Sequence, residues 1–178
     1  MSPEQWIGLA LVFSLGAMSP GPSLAVVIRN TLAGGRQQGI STGIGHGLGF
    51  GVYAFLAAVG IATLLSLHDS TELILKIGGV VLLLWLGMVF VNNARKGPSE
   101  NEEESKHEAQ NRQGFVQGFL IALLNPKILA WMLALYTPFI EIDTGLWTLL
   151  GMGLLGMTID GTWYVTVATV LTTGNRVD

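Results

Sequence analysis

The residues in this chain that could do chemistry stand inside apolar runs. Ser19-Pro20-Gly21-Pro22-Ser23 lies near the middle of a run over residues 6–28 that carries no charged residue. Proline has no N–H, so Pro20 and Pro22 are expected to leave the carbonyls of Gly16 and Met18 without helical partners. In hydrocarbon a bare carbonyl is costly unless protein, water or a ligand satisfies it. Beyond the break, the amides of Ser23, Leu24 and Ala25 open a new half-helix and carry the positive end of its dipole. One short stretch thus offers acceptors to a cation and donors to an anion, the two ends of a zwitterion.

A second interruption, Asn125-Pro126-Lys127, falls within the apolar run 115–140, and Asp160 lies within 146–171. An ionisable group at that depth is expensive and is usually functional. At about 1.5 Å per residue, Lys127 sits roughly 18 Å from the start of its run and Asp160 roughly 21 Å from the start of the next, antiparallel one. The matching depths predict an Asp160–Lys127 ion pair, weakened by a proton or by a substrate carboxylate. His46 lies among glycines in the run 40–67, where both a hydrogen-bonding and a proton-relay role are open. Trp85, Trp131 and Trp163 are expected to pack or to face lipid. The chain has no cysteine, which excludes a disulfide framework, a thiolate metal site and a cysteine nucleophile. No cluster of metal ligands is visible, so no metal site is expected. An intramembrane hydrolase built from Ser19 or Ser23, His46 and Asp160 is disfavoured, because Gly21-Pro22-Ser23-Leu24-Ala25 lacks the last glycine of a nucleophile elbow.

The elements that must position these groups are membrane helices. Half of the 178 residues are apolar, only 12% are charged, and the mean hydropathy is +0.54. A soluble domain carries about 25% charged residues. The expected fold is therefore an all-α integral membrane protein with spans at 6–28, 40–67, 73–91, 115–140 and 146–171, the first and fourth broken. The first run is too long and too poor in basic residues for a signal peptide, and Trp6 suits an interfacial anchor. Lys76 can snorkel to the headgroups. Residues 92–114, with Glu102-Glu103-Glu104, form a hydrophilic loop. Gly39, Gly43, Gly47 and Gly51 recur at every fourth residue and line one helix face for close packing. Arg29 and Arg36 in the first loop, and Arg95, Lys96, Lys106 and Arg112 in the third, place both loops in the cytoplasm and the amino terminus outside.

Sliding the sequence by 106 residues lays Ser19-Pro20 on Asn125-Pro126, and Gly8, Gly39, Gly45 and Gly47 on Gly114, Gly145, Gly151 and Gly153. Two blocks of three helices related in this way would be inverted across the membrane, with their broken helices meeting at the substrate site. The chain divides accordingly into a first repeat at 1–91, the loop 92–114, and a second repeat at 115–178 that lacks its last helix. Five helices of a six-helix 3+3 inverted repeat are thus expected. Either the chain is a piece of a longer one or a partner fills the gap.

Pro20-Gly21-Pro22 in the first span, the glycine ladder in the second, Asn125-Pro126-Lys127 in the fourth and Asp160 with Trp163-Tyr164 in the fifth resemble the LysE/RhtB amino-acid exporters. The resemblance covers essentially the whole chain. It implies a multi-pass protein of the bacterial inner membrane that exports amino acids on the proton-motive force, with no enzymatic activity and no prosthetic group. On that reading Ser19, Pro20, Gly21, Pro22, Ser23, Asn125, Pro126 and Lys127 meet the substrate, while Asp160 and His46 couple protons. The partners are an amino acid and the lipid bilayer, not nucleic acid, and a homo-oligomer stays open. The alternative is a carrier of the same fold for an inorganic ion or another small solute.

Overall fold

The computed structural model describes residues 1–67, 111–141 and 143–173, with isolated positions between 73 and 88. Most of the expected third span and of the loop 92–114 lies outside the described residues. Every element among the described residues is helical.

Helix α1 (Pro3–Met18) starts on a capping box: Gln5 N–H donates to Ser2 Oγ, and Ser2 N–H donates to Gln5 Oε1. Pro3 at the first turn costs nothing, because that N–H has no helical acceptor. The helix ends at Met18, since Ser19 precedes a proline and is driven to extended backbone, φ −70° and ψ 125°. The chain becomes helical again at Pro22, so the first apolar run is two half-helices joined through Ser19, Pro20 and Gly21.

Helix α2 (Pro22–Leu67) replaces the polar turn expected over 29–38 with helix on both sides of a single residue, Gly35. Its φ of 74° and ψ of −176° lie in a region open essentially to glycine alone. The chain reverses there: Asn30 Nδ2 donates to Thr42 Oγ1 at 3.0 Å, although twelve helical residues would span about 18 Å. Residues 22–34 and 36–67 are therefore two arms of a helical hairpin. The run from Arg29 to Gln38 stays helical on both sides because it holds no proline, and the reversing conformation falls on the second of its two glycines, Gly35. The apolar stretch Pro22–Thr63 is 42 residues long, and the reversal at Gly35 divides it into a short arm that continues the apolar run begun by α1 and a longer arm of bilayer length.

Helix α3 (Asn111–Leu124) begins inside the segment expected to be loop. It bends by 45° into α4 (Pro126–Trp131), followed by a π-helical turn, Met132–Tyr136, and a 3₁₀ turn, Thr137–Phe139. Helix α5 (Leu146–Thr173) is long and apolar enough to cross a membrane unaided. Apolar residues cover both sides of these helices, as lipid demands. On α1, Leu9, Phe13 and Ala17 are buried while Ile7, Leu11, Leu15 and Met18 stay exposed. With its long apolar helices, the protein is an all-α integral membrane protein.

The second arm of α2 is the central strut, and its glycines let two neighbours touch it backbone to backbone. A Cβ on Gly43, Gly47 or Gly51 would strike α5 at Val165 N, Gly161 Cα or Met157 Cβ, between 2.6 and 2.9 Å away. Gly45 and Gly49 meet the carbonyls of Phe115 and Phe119 on α3. Gly39 lies against Thr31 of the first arm and Ala168 of α5. Two apolar clusters sandwich the polar centre. One is built on Leu9, Phe13, Phe50, Met132, Tyr136 and Met152, and the other on Val27, Tyr164 and Ala168.

Candidate functional site

The two helix breaks meet. Asn125 is the N-cap of α4: its extended backbone aims Oδ1 at the N–H of Lys127, 3.0 Å away. The same side chain donates from Nδ2 to Ser23 Oγ at 2.9 Å. A single buried amide thus ties the start of α4 to the start of α2. Beside it, Lys127 Nζ reaches the α1–α2 break and donates to Ser19 O at 2.8 Å, Ser19 Oγ at 2.8 Å and Pro20 O at 3.1 Å. The carbonyls that meet a cation are therefore those of Ser19 and Pro20, not the expected pair on Gly16 and Met18. The difference follows from the early end of α1, where Ser19 N–H turns back to the carbonyls of Leu15 and Gly16. Gly21 lets the lysine lie flat on the break, since a Cβ there would come within 3.3 Å of Nζ.

Asp160 does not pair with Lys127. Its Oδ2 accepts from His46 Nδ1 at 2.5 Å, and both residues are buried. Both residues line one cavity, but rise along a helix leaves the azimuth of each side chain open. The seam of Gly43 and Gly47 against Gly161 brings α2 and α5 so close that the carboxylate meets the imidazole across it. Lys127, at the first turn of α4, faces the carbonyls instead. The Tyr164 ring meets the edge of His46 at 4.5 Å between centroids, and its phenol lies against Ser23.

These groups line one cavity. Ser19, Gly21, Ser23, Asn125 and Lys127 form one wall, and His46, Asp160 and Tyr164 face them. Gly16, Phe50, Ile128 and Trp131 close the remainder with apolar surface. Pro20, Pro22 and Pro126 do not line it; they make the breaks that turn the other residues inward. Gly39, Gly43, Gly47 and Gly51 likewise stay on the helix seams. The cavity measures about 20 Å³, room for about one water.

Sequence reasoning missed several neighbours. Trp131, expected to pack or to face lipid, lines the cavity, and its Nε1 has no partner among the described residues. Trp163 does pack, against the cluster of Val27, Tyr164 and Ala168. Toward the Gly35 end, Asn30 joins Thr42 and Gln117, and Arg29 Nη2 donates to Gln117 Oε1 at 3.0 Å. The spacing of Asn30, Thr42 and His46 carries no signal until the hairpin at Gly35 folds them together.

The family model for LysE type translocators matches residues 14–176. The chain is 27% identical over 136 residues to the uncharacterized membrane protein YahN of Escherichia coli K12, covering 76% of this chain and 60% of YahN. It is 24% identical over 168 residues to the threonine efflux protein of the same strain, covering 93% of this chain and 81% of that protein. Against the threonine efflux protein of Salmonella typhi it is 25% identical over 138 residues, covering 77% of this chain and 67% of that protein. No solved structure matches. The match across both breaks, the central strut and the Asp160 helix establishes that the chain belongs to the LysE-type translocator family, whose members are transporters and not enzymes.

Proposed function

We infer that this protein exports amino acids from the cytoplasm across the bacterial inner membrane, driven by protons, and that the cavity between the two breaks is its substrate site. The observation that carries this reading is the composition of that cavity. Carbonyls of a helix break, the starts of two half-helices, a lysine and a buried His46–Asp160 pair converge in one apolar bundle. The carbonyls of Ser19 and Pro20 suit an α-ammonium. Lys127 and the free amides at the start of α2 suit an α-carboxylate. The threonine efflux relatives support the substrate class.

In this reading the His46–Asp160 pair carries the proton. With Asp160 ionised, His46 donates Nδ1–H to it, and Nε2, buried and without a partner among the described residues, is the free basic position. Loading a proton there, or on the carboxylate, changes the charge facing the cavity. That change is the element an import-coupled proton needs to bias the site toward one side. Were the blocks 1–91 and 115–178 the inverted repeats that the paired breaks suggest, alternating access would rock one against the other around those breaks. The basic first loop supports an orientation with the Gly35 reversal in the cytoplasm and Pro3 outside.

Cells loaded with dipeptides, with and without this protein, test the export reading. Faster efflux of at least one amino acid in the presence of the protein is expected. Equal efflux of all twenty would overturn it.

A further inference from the structure

Lys127 sits where a substrate ammonium would sit. An alkylammonium has three N–H donors, and those of Lys127 are matched by three acceptors, Ser19 O, Ser19 Oγ and Pro20 O. The α-ammonium of an amino acid carries the same three donors and asks for the same cradle. Gly21 keeps the floor of the cradle open, because a methyl there would stand 3.3 Å from Nζ and 3.4 Å from Cδ. Lys127 is rooted in the first turn of a short helix whose N-cap, Asn125, is fixed independently through Ser23. The lysine side chain can therefore leave the cradle without undoing the junction between the breaks.

We propose that Lys127 is a tethered stand-in for the substrate ammonium, and that exchange between the two selects zwitterions. An arriving ammonium takes the Ser19 and Pro20 acceptors only if the lysine gives them up. The displaced lysine, half-buried beside apolar Ile128 and Trp131, then needs an anion within reach. A ligand that carries its own carboxylate supplies one; a simple amine does not, because Asp160, the carboxylate that lines the cavity, is already engaged by His46, and the amine would add a second cation beside the lysine. A simple carboxylate cannot fill the vacated cradle. Only a molecule with both groups completes the exchange. Lys127 is on this account a specificity-determining residue. The inference rests on the reading of the cavity as an amino-acid site.

The test uses the purified full chain in nanodiscs and isothermal titration. The twenty L-amino acids are titrated first, then the carboxamide of whichever binds most tightly, which keeps the ammonium and loses the carboxylate. Wild-type protein is expected to prefer the acid over its amide by tenfold or more. In Lys127→Met the cradle is vacant and the cavity holds no competing cation. The amide is then expected to bind at least tenfold more tightly than to wild type, and the preference for the acid to fall within threefold. Lys127→Gln, which removes the charge and keeps a polar side chain, is expected to shift the same ratio in the same direction and serves if Lys127→Met does not fold. An unchanged acid-to-amide ratio in the folded variants overturns the proposal and leaves the lysine a static staple. Absence of binding by any amino acid to wild type overturns the amino-acid reading itself.

Discussion

Asn125 and Ser23 stand 102 residues apart in the chain, yet Asn125 Nδ2 donates to Ser23 Oγ at 2.9 Å in the middle of the bundle. The asparagine caps α4 with its oxygen and holds the start of α2 with its nitrogen. Its geometry answers a problem common to both breaks, since each frees backbone groups that cannot be left bare in lipid.

Replacing Asn125 by alanine removes both bonds together. A lost cap and a lost buried hydrogen bond are each worth about 1 kcal/mol, so a destabilisation of about 2 kcal/mol is expected. In Ser23→Ala the cap survives, while the bonds of the serine to Asn125 and to the Tyr164 phenol are lost; Ser23→Ala in a Tyr164→Phe background isolates the Asn125 bond and should cost about half of that. Thermal unfolding in detergent reads both variants. Equal losses for the two would mean that the cap contributes nothing.

The glycine seam gives a sharper contrast. A methyl on Gly47 would stand 2.6 Å from the Cα of Gly161, and backbone cannot step aside as a flexible side chain can. Gly47→Ala should therefore part α2 from α5 and cost about 1–3 kcal/mol. Gly60, on the same helix, has nothing within 4 Å of a built Cβ. There alanine removes only the backbone freedom of glycine and should stabilise by up to about 1 kcal/mol. Melting temperatures that move the same way in both variants would refute the packing account.

The reversal at Gly35 rests on a conformation that other residues adopt only with strain. Gly35→Ala is expected to cost about 1–3 kcal/mol, although a Cβ there meets nothing within 4 Å. The loss is one of backbone strain and not of packing. An unchanged melting temperature would show that the hairpin can turn by another route.

Asp160→Asn keeps an acceptor for His46 Nδ1–H and removes the charge. The variant is expected to fold, to exchange labelled amino acid across a proteoliposome membrane, and to lose uptake or efflux driven by a pH gradient. His46→Ala leaves the buried carboxylate without its partner and should be the less stable of the two, by about 3 kcal/mol or more. Gradient-driven transport that survives in Asp160→Asn would remove this pair from proton coupling.

The sequence by itself determined where the chain must break and what kind of solvent surrounds it. Pro20, Pro22 and Pro126 lack the N–H that a continuous helix requires, and that deficit is local, so it is legible without a fold. The long apolar runs set membrane helices for the same reason, because burying bare backbone in lipid leaves few alternatives. The glycine spacing marked one packing face of α2. Gly45 and Gly49 form a second face against α3 that became visible only with the neighbour in place. Tertiary structure alone decided which partners meet across those faces. Rise per residue gives the depth of Asp160 and Lys127 but not the direction in which either side chain points. Direction follows from which helices touch and how they are rotated, and the contact of Gly47 with Gly161 turned Asp160 to His46 and left Lys127 to the carbonyls of Ser19 and Pro20. The hairpin at Gly35 was hidden for a related reason: the polar residues around it favour helix and turn alike, and only packing of Asn30 against Thr42 selects between them.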